Sequence, residues 1–239
     1  MVGPVASGSM VGGLREAVDD ATRRARRAVA ALGVCAASGL LTTFAFERFA
    51  GCGYQPGEDL ADAVTPVVVF GGMSTLISVA TVVLFLLWLH RAVANARLMG
   101  RSTTCSPAEA VGAYFIPVLN FFRPYQAMKE LHRASDPTTL GDAPVFRDRD
   151  DADYRGGARE VIAPARWAYA APILGWWLLF ALRPVVSTVA LPLTGGSAAR
   201  VVGSVWDIAA AMACVLVIRS VDSRQRERCR RLEAMQRSS

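Results

Sequence analysis

Lysine is nearly missing from this chain. Of its 26 basic residues, only Lys129 is not arginine. Histidine is as scarce, with His90 and His132 alone, and neither has a Cys, Asp or Glu at a metal-ligand spacing. The five cysteines (Cys35, Cys52, Cys105, Cys214 and Cys229) form no C-x-x-C pair. A zinc or redox centre is therefore not expected. The chain also lacks H-E-x-x-H, G-x-S-x-G, P-loop and G-x-G-x-x-G signatures. With no catalytic constellation, the expectation is a non-enzymatic protein without a cofactor. The pairs around Gly51 and Gly53, and Gly71-Gly72, are too short to cradle phosphate. Gly71-Gly72 is read as permitting close helix packing.

A further absence is that of charge. Residues 63–89 hold no charged side chain. A helix of a soluble protein shows a polar face every turn, and this stretch shows none. About 20 apolar residues cross a bilayer core of roughly 30 Å. Hydrophobic residues make up 53% of the chain, and they gather into blocks at 28–46, 64–89, 165–182 and 201–218. The fold class expected is an all-α membrane protein with four transmembrane helices. Residues 28–225 form the membrane domain, after a basic cytoplasmic segment, 1–27, and before a charged tail, 226–239. The first block is read as a retained helix rather than a signal peptide. Its basic region is long, and Glu47 and Arg48 separate it from the lipoprotein-like Phe49-Ala50-Gly51-Cys52.

Between the blocks, local chemistry predicts further elements. The opening residues of 1–27 read as disordered, followed by a basic amphipathic run over 14–27. An outer loop is expected over 47–62. Block two continues as a polar helix through His90, Arg91, Asn95 and Arg97 to a stop at Gly100. Ser106-Pro107-Ala108-Glu109 has the form of a helix start: a Ser cap, Pro at the first position and Glu two residues after the proline. Residues 111–122 are apolar but too short to span, so 106–134 is read as an extra interfacial or re-entrant segment on the cytoplasmic side. After Pro124, Ala127, Met128 and Leu131 fall on one helix face. Residues 135–160 read as a flexible loop and 192–196 as an outer turn.

A net charge of +6 suits either a nucleic-acid partner or positive cytoplasmic loops. The distribution favours the second. Only Arg48, Arg183 and Arg200 lie in the loops after blocks one and three, and the other 23 of 26 basic residues lie in the N-terminal segment, the central segment and the tail. The expectation is a multi-pass cell-membrane protein with both termini cytoplasmic, a lipid-bilayer partner and no nucleic acid. Tail arginines would contact anionic headgroups or simply face water on a solvated helix, the simpler reading.

Several side chains are candidates for a site. Trp88, Arg91 and Asn95, at i, i+3 and i+7, share one helix face. They read as a polar clamp for an anionic headgroup, or as an interface anchor with Trp88 in the aromatic belt and Arg91 snorkelling. A more specific structural version follows from Pro117 and Pro124, which lack N–H groups and leave carbonyls in 115–125 without donors. Arg91 and Asn95 are expected to supply them, forming a latch. Asn120 and Arg123 would line a cavity mouth or face water. Asp207 lies within block four, and such acids usually pair or serve transport. Its expected partner is Arg183 or Arg200, the alternatives being exposure to water or a proton-coupled role.

Three stretches together resemble a known family: Trp88-Leu89-His90-Arg91 with Asn95; Ser106-Pro107 with Ala110; and Phe115-Ile116-Pro117 with Asn120, Pro124 and Tyr125. Their spacing is similar to that of the bacterial domain of unknown function 4328, and Trp176-Trp177 in block three fits the same pattern. Tyr114 stands where the family commonly carries tryptophan, which keeps the aromatic character. The resemblance covers about residues 28 to 225 and implies a multi-span membrane protein without an assigned activity. The expected role is a scaffold, interaction or lipid-contacting protein. The rival is a small channel or transporter working as a homo-oligomer, because four helices rarely enclose a pore alone.

Overall fold

The computed structural model describes residues 6–52, 60–101, 103–138, 166–194 and 196–238. These hold helices and turns, with no strand among the described residues. The helices are α1 (Ala6–Cys52), α2 (Leu60–Leu98), α3 (Pro107–Gly112), α4 (Pro117–Asn120), α5 (Arg123–Ala134), α6 (Arg166–Ala181), α7 (Arg183–Thr194) and α8 (Gly196–Ser238). Most of the expected loop over 135–160, and residues 53–59 of the expected outer loop, lie outside the described residues.

Among the described residues, three helical stretches are long and apolar enough to cross a membrane: Gly12–Arg48, Val68–Leu98 and Gly196–Ser238. Protein buries no more than 17% of any of their apolar windows, so the remaining apolar surface needs lipid to cover it. Among the described residues, a fourth crossing arises only if α6 and α7 act as one span. Ala171–Ala181 and Arg183–Val189 meet at a 45° bend. Pro184 causes it, because its nitrogen has no proton for the Phe180 carbonyl four residues back and its ring crowds that carbonyl.

Several boundaries differ from the sequence expectation. Block one does not end at Glu47: α1 continues to Cys52. It also begins at Ala6, inside the segment expected to be disordered. Helix α6 ends at Ala181, at the expected end of block three, but a further helix follows at once. Proline is acceptable in the first turn of a helix, so α7 starts at Arg183 and runs to Thr194, into the expected outer turn. Gly71 and Gly72 do not mediate close packing, since a Cβ at either would meet nothing within 4 Å.

The chain divides into two compact units, one formed by Met1–Arg23, Leu89–Leu174 and Arg219–Ser239, the other by Arg24–Trp88 and Gly175–Ile218. In the second unit, short side chains tie helices together. Thr81 Oγ1, which donates to Ile77 O in its own helix at 2.8 Å, stands 3.2 Å from the Ala31 carbonyl oxygen, Thr43 and Ser204 share a 2.7 Å bond, and Trp206 donates to Leu179 O at 2.7 Å. Where apolar side chains gain nothing by leaving lipid for protein, such bonds supply specificity. An aromatic row, Trp88–Phe85–Trp176–Phe180, has successive centroids 5.6, 6.0 and 6.3 Å apart.

The first unit has a conventional core. Val18, Met99 and Cys229 are buried together, with Leu14 and Leu232 against them. Its helix α5 buries Ala127, Met128 and Leu131, the face the sequence predicted. Helix α2 stops where expected, with Gly100 at a φ of 77° that side chains with a Cβ rarely adopt. Helix α3 starts with a full capping box. Ser106 Oγ accepts from the Glu109 N–H at 3.1 Å, and the Ser106 N–H donates to Glu109 Oε2 at 2.8 Å. That reciprocal bond holds the Glu109 carboxyl below its ordinary pKa, with help from the nearby Arg123 and Arg97 charges.

Candidate functional site

The end of α2 carries Trp88, Arg91 and Asn95. Trp88 is not part of an exposed aromatic belt: only 1% of it is accessible, and it packs on Phe85. Asn95 is fully buried, and its Nδ2 donates to the Ala17 carbonyl at 2.9 Å. Arg91 Nε lies 3.3 Å from Asp20 Oδ2. Both polar groups therefore turn to α1, and the expected latch onto 115–125 does not form. The reason is that Pro117 and Pro124 open α4 and α5, where the missing N–H costs nothing because first-turn donors have no helical acceptor anyway. The carbonyls of the segment do not need Arg91 or Asn95.

Asn120 and Arg123 are not brought onto one helix face either. Asn120 closes α4 and Arg123 opens α5. Arg123 Nη1 reaches the Cys105 sulfur at 3.4 Å, and Asn120 Oδ1 is buried without a hydrogen-bond partner. What 115–122 does present is apolar surface. Phe115, Val118 and Phe122 are 72%, 72% and 63% exposed, with Ile116 and Phe121 also exposed. Six large apolar side chains in eight residues, left unpacked by the protein, form a patch too short to span and too greasy for water.

The tail shows most clearly what sequence reasoning missed. The expectation is a solvated helix, but α8 continues without a break to Ser238 and two of its polar side chains, Gln225 and Arg228, are buried in the first unit. Gln225 Nε2 donates to Ala92 O at 2.8 Å and to Ser135 Oγ at 3.3 Å. Arg228 donates to the Asp136 carbonyl at 2.9 Å, with Met99 O at 3.4 Å and Ala134 O at 3.5 Å. Thr22 donates to Asp222 Oδ1 at 2.7 Å. In a run of arginines, nothing local marks Arg228 as the one that points inward. The signal available was weak: Asp222, Gln225 and Cys229 fall at helical spacings of three and four.

His132 is buried against Ser220, 3.2 Å from its hydroxyl. Burial, and next the Arg224 charge, push its pKa down to about 4, against the pull of Asp136. It is a neutral structural histidine at physiological pH. Among the described residues, no three of His, Cys, Asp and Glu stand together in a way that holds a metal ion.

In the second unit the acid within block four has a partner. Asp207 receives two bonds from Arg183, at 2.5 Å from Nε and 3.0 Å from Nη2. Arg200, the other expected candidate, instead pairs with Glu47 at 2.8 Å and lies over the Phe46 ring. Two arginine–carboxylate pairs thus stand in one unit. Glu47 entered the sequence reading only as the end of block one.

No curated protein and no solved structure matches the chain. A family model does, over residues 56–223, which contain the Trp88–Asn95, Ser106–Ala110 and Phe115–Tyr125 motifs and the Trp176-Trp177 pair. The match takes in both the polar end of α2 and the Arg183–Asp207 pair, and it covers well over half of the chain: this protein belongs to the family described as Domain of unknown function (DUF4328).

Proposed function

We propose that this chain is a non-enzymatic, four-span cell-membrane protein that contacts the bilayer interface through residues 115–122, as a scaffold or lipid-contacting component. In this reading α6 and α7 form one bent span, and arginine bias places both termini in the cytoplasm. The observation that carries it is the exposure of Phe115, Val118 and Phe122. Surface of this kind lies stably at the headgroup boundary, and neighbouring Arg123 and Lys129 suit anionic headgroups there.

The test is depth-dependent fluorescence quenching. Single cysteines at 115, 118 and 122 are labelled with an environment-sensitive dye, and the full chain is placed in vesicles carrying brominated lipids. Quenching by the lipid bromines, with an exposed Arg133→Cys control quenched only by aqueous iodide, is the expected result. Iodide quenching at all three positions sinks the interfacial reading.

A second reading, a small oligomeric channel or transporter, is favoured by the Arg183–Asp207 pair within helices that carry the apolar spans. Flux measurements on Asp207→Asn in proteoliposomes separate the two. The scaffold reading expects no change, and the transporter reading expects loss.

A further inference from the structure

A cavity of about 410 Å³ opens in the second unit among α1, α2, α7 and α8. Its size falls within the roughly 300–1,000 Å³ of small-molecule sites. The wall chemistry is unusual for an apolar bundle. Arg183, Arg200 and Asp207 line it, and Glu47 holds Arg200 in place. The two guanidiniums and two carboxylates sum to zero charge.

The hydrogen-bonding capacity of this wall is only partly used. A guanidinium carries five N–H donors. Arg183 directs Nε and Nη2 to Asp207, and Arg200 directs Nε and Nη2 to Glu47. The remaining donors stay available on each. Hydroxyls on the wall spend their protons on their own helices, Thr42 on Ser38 O, Ser187 on Pro184 O and Ser204 on Arg200 O. The Thr42 and Ser187 oxygens remain acceptors, while Ser204 Oγ already accepts from Thr43. The cavity therefore offers fork-shaped cationic donors beside anionic and neutral acceptors.

We propose that this cavity binds a zwitterion of the phosphoethanolamine type, with the phosphate on the guanidiniums of Arg183 and Arg200 and the ammonium on Asp207 and the hydroxyl oxygens. Guanidinium geometry matches phosphate. Electroneutrality decides between a zwitterion and an anion. Adding a net negative ligand to a neutral site in apolar surroundings leaves an uncompensated charge, whereas a neutral zwitterion leaves none. The inference stands on a different part of the chain from the interfacial segment and does not depend on it. The ligand would be either a phosphatidylethanolamine headgroup or its water-soluble counterpart.

The full chain, purified in detergent, is titrated with phosphatidylethanolamine, phosphatidylglycerol and soluble glycerophosphoethanolamine, and bound adducts are counted by native mass spectrometry. The expected result is preference for the ethanolamine lipid over the glycerol lipid by about tenfold, the scale of one charge-assisted bond. Binding of the soluble compound as well assigns the ligand to the aqueous phase, and its failure to bind assigns it to the bilayer. Two variants localise the site. Arg183→Gln with Asp207→Asn removes a pair while keeping the site neutral. Gly39→Leu fills the cavity from α1, where a Cβ meets nothing within 4 Å, so the fold has room for it. Both should abolish the preference, with thermal unfolding in detergent confirming that each variant is folded. Equal binding of the two lipids, or unchanged binding by folded Gly39→Leu, overturns the proposal.

Discussion

Asn95 Nδ2 stands 2.9 Å from the carbonyl oxygen of Ala17, joining the end of α2 to α1 where neither group meets water. Replacing Asn95 with alanine leaves that carbonyl without its side-chain donor and opens a small void. The expected cost is about 1–3 kcal/mol. Arg91→Gln disturbs a pair that is one-third exposed, 33% on the arginine side, so its cost should stay below about 1 kcal/mol. Thermal unfolding in detergent compares the two. Equal loss at both positions would contradict the ranking.

Arg228 offers a sharper contrast. Its guanidinium donates to the Asp136 carbonyl and lies within reach of two others, in a site that is 3% exposed. Arg228→Ala strands those carbonyls and should destabilise the chain by more than about 2 kcal/mol. Arg228→Lys should rescue little, because one ammonium cannot reproduce the fork. The neighbouring Arg230→Ala, with its side chain 76% exposed, should be silent. Denaturant unfolding of the three variants checks this order.

His132 makes stability depend on pH. Its folded pKa lies near 4, below the 6.5 of an unfolded chain. Between those values the unfolded state binds a proton that the folded state refuses, so stability is full above about pH 6.5 and falls as pH drops toward 4. His132→Gln stays neutral throughout and should remove the slope in that window. Unfolding midpoints measured from pH 4 to 7 on both proteins decide, and parallel curves would exclude His132 as the cause.

Cys229 should be a silent thiol in the folded protein. Burial first, and then the Glu233 carboxylate, push its pKa up to about 11, and the thiolate is the reactive form. A variant retaining only Cys229 should resist maleimide at pH 7.5 and label rapidly once denatured. Labelling at native conditions as fast as at an exposed surface cysteine would show that the α8 tail does not pack as described.

Some of this protein was legible without coordinates. Charge-free blocks need only composition and the thickness of a bilayer, so the apolar helices were readable from residues 63–89 outward. Local chemistry was equally clear where it is encoded within a few residues. The Ser106 cap, the Gly100 stop and the Ala127–Leu131 face all formed as expected. The Asp207 pair was narrowed to two arginines, and the structure chose Arg183.

What the sequence alone determined was therefore what short-range pattern sets: which stretches are apolar, where α2 stops and α3 starts, and the family to which the motifs point. Only tertiary structure decided which polar groups meet. Asn95 found Ala17 instead of the proline segment, Arg228 turned inward from a row of arginines, and Arg200 took Glu47, 153 positions away in the chain. The physical reason is that a helix periodicity states which side chains share a face but not what stands opposite. A buried polar group takes whichever partner the packing delivers, because leaving it unpaired costs more than any local preference can offset.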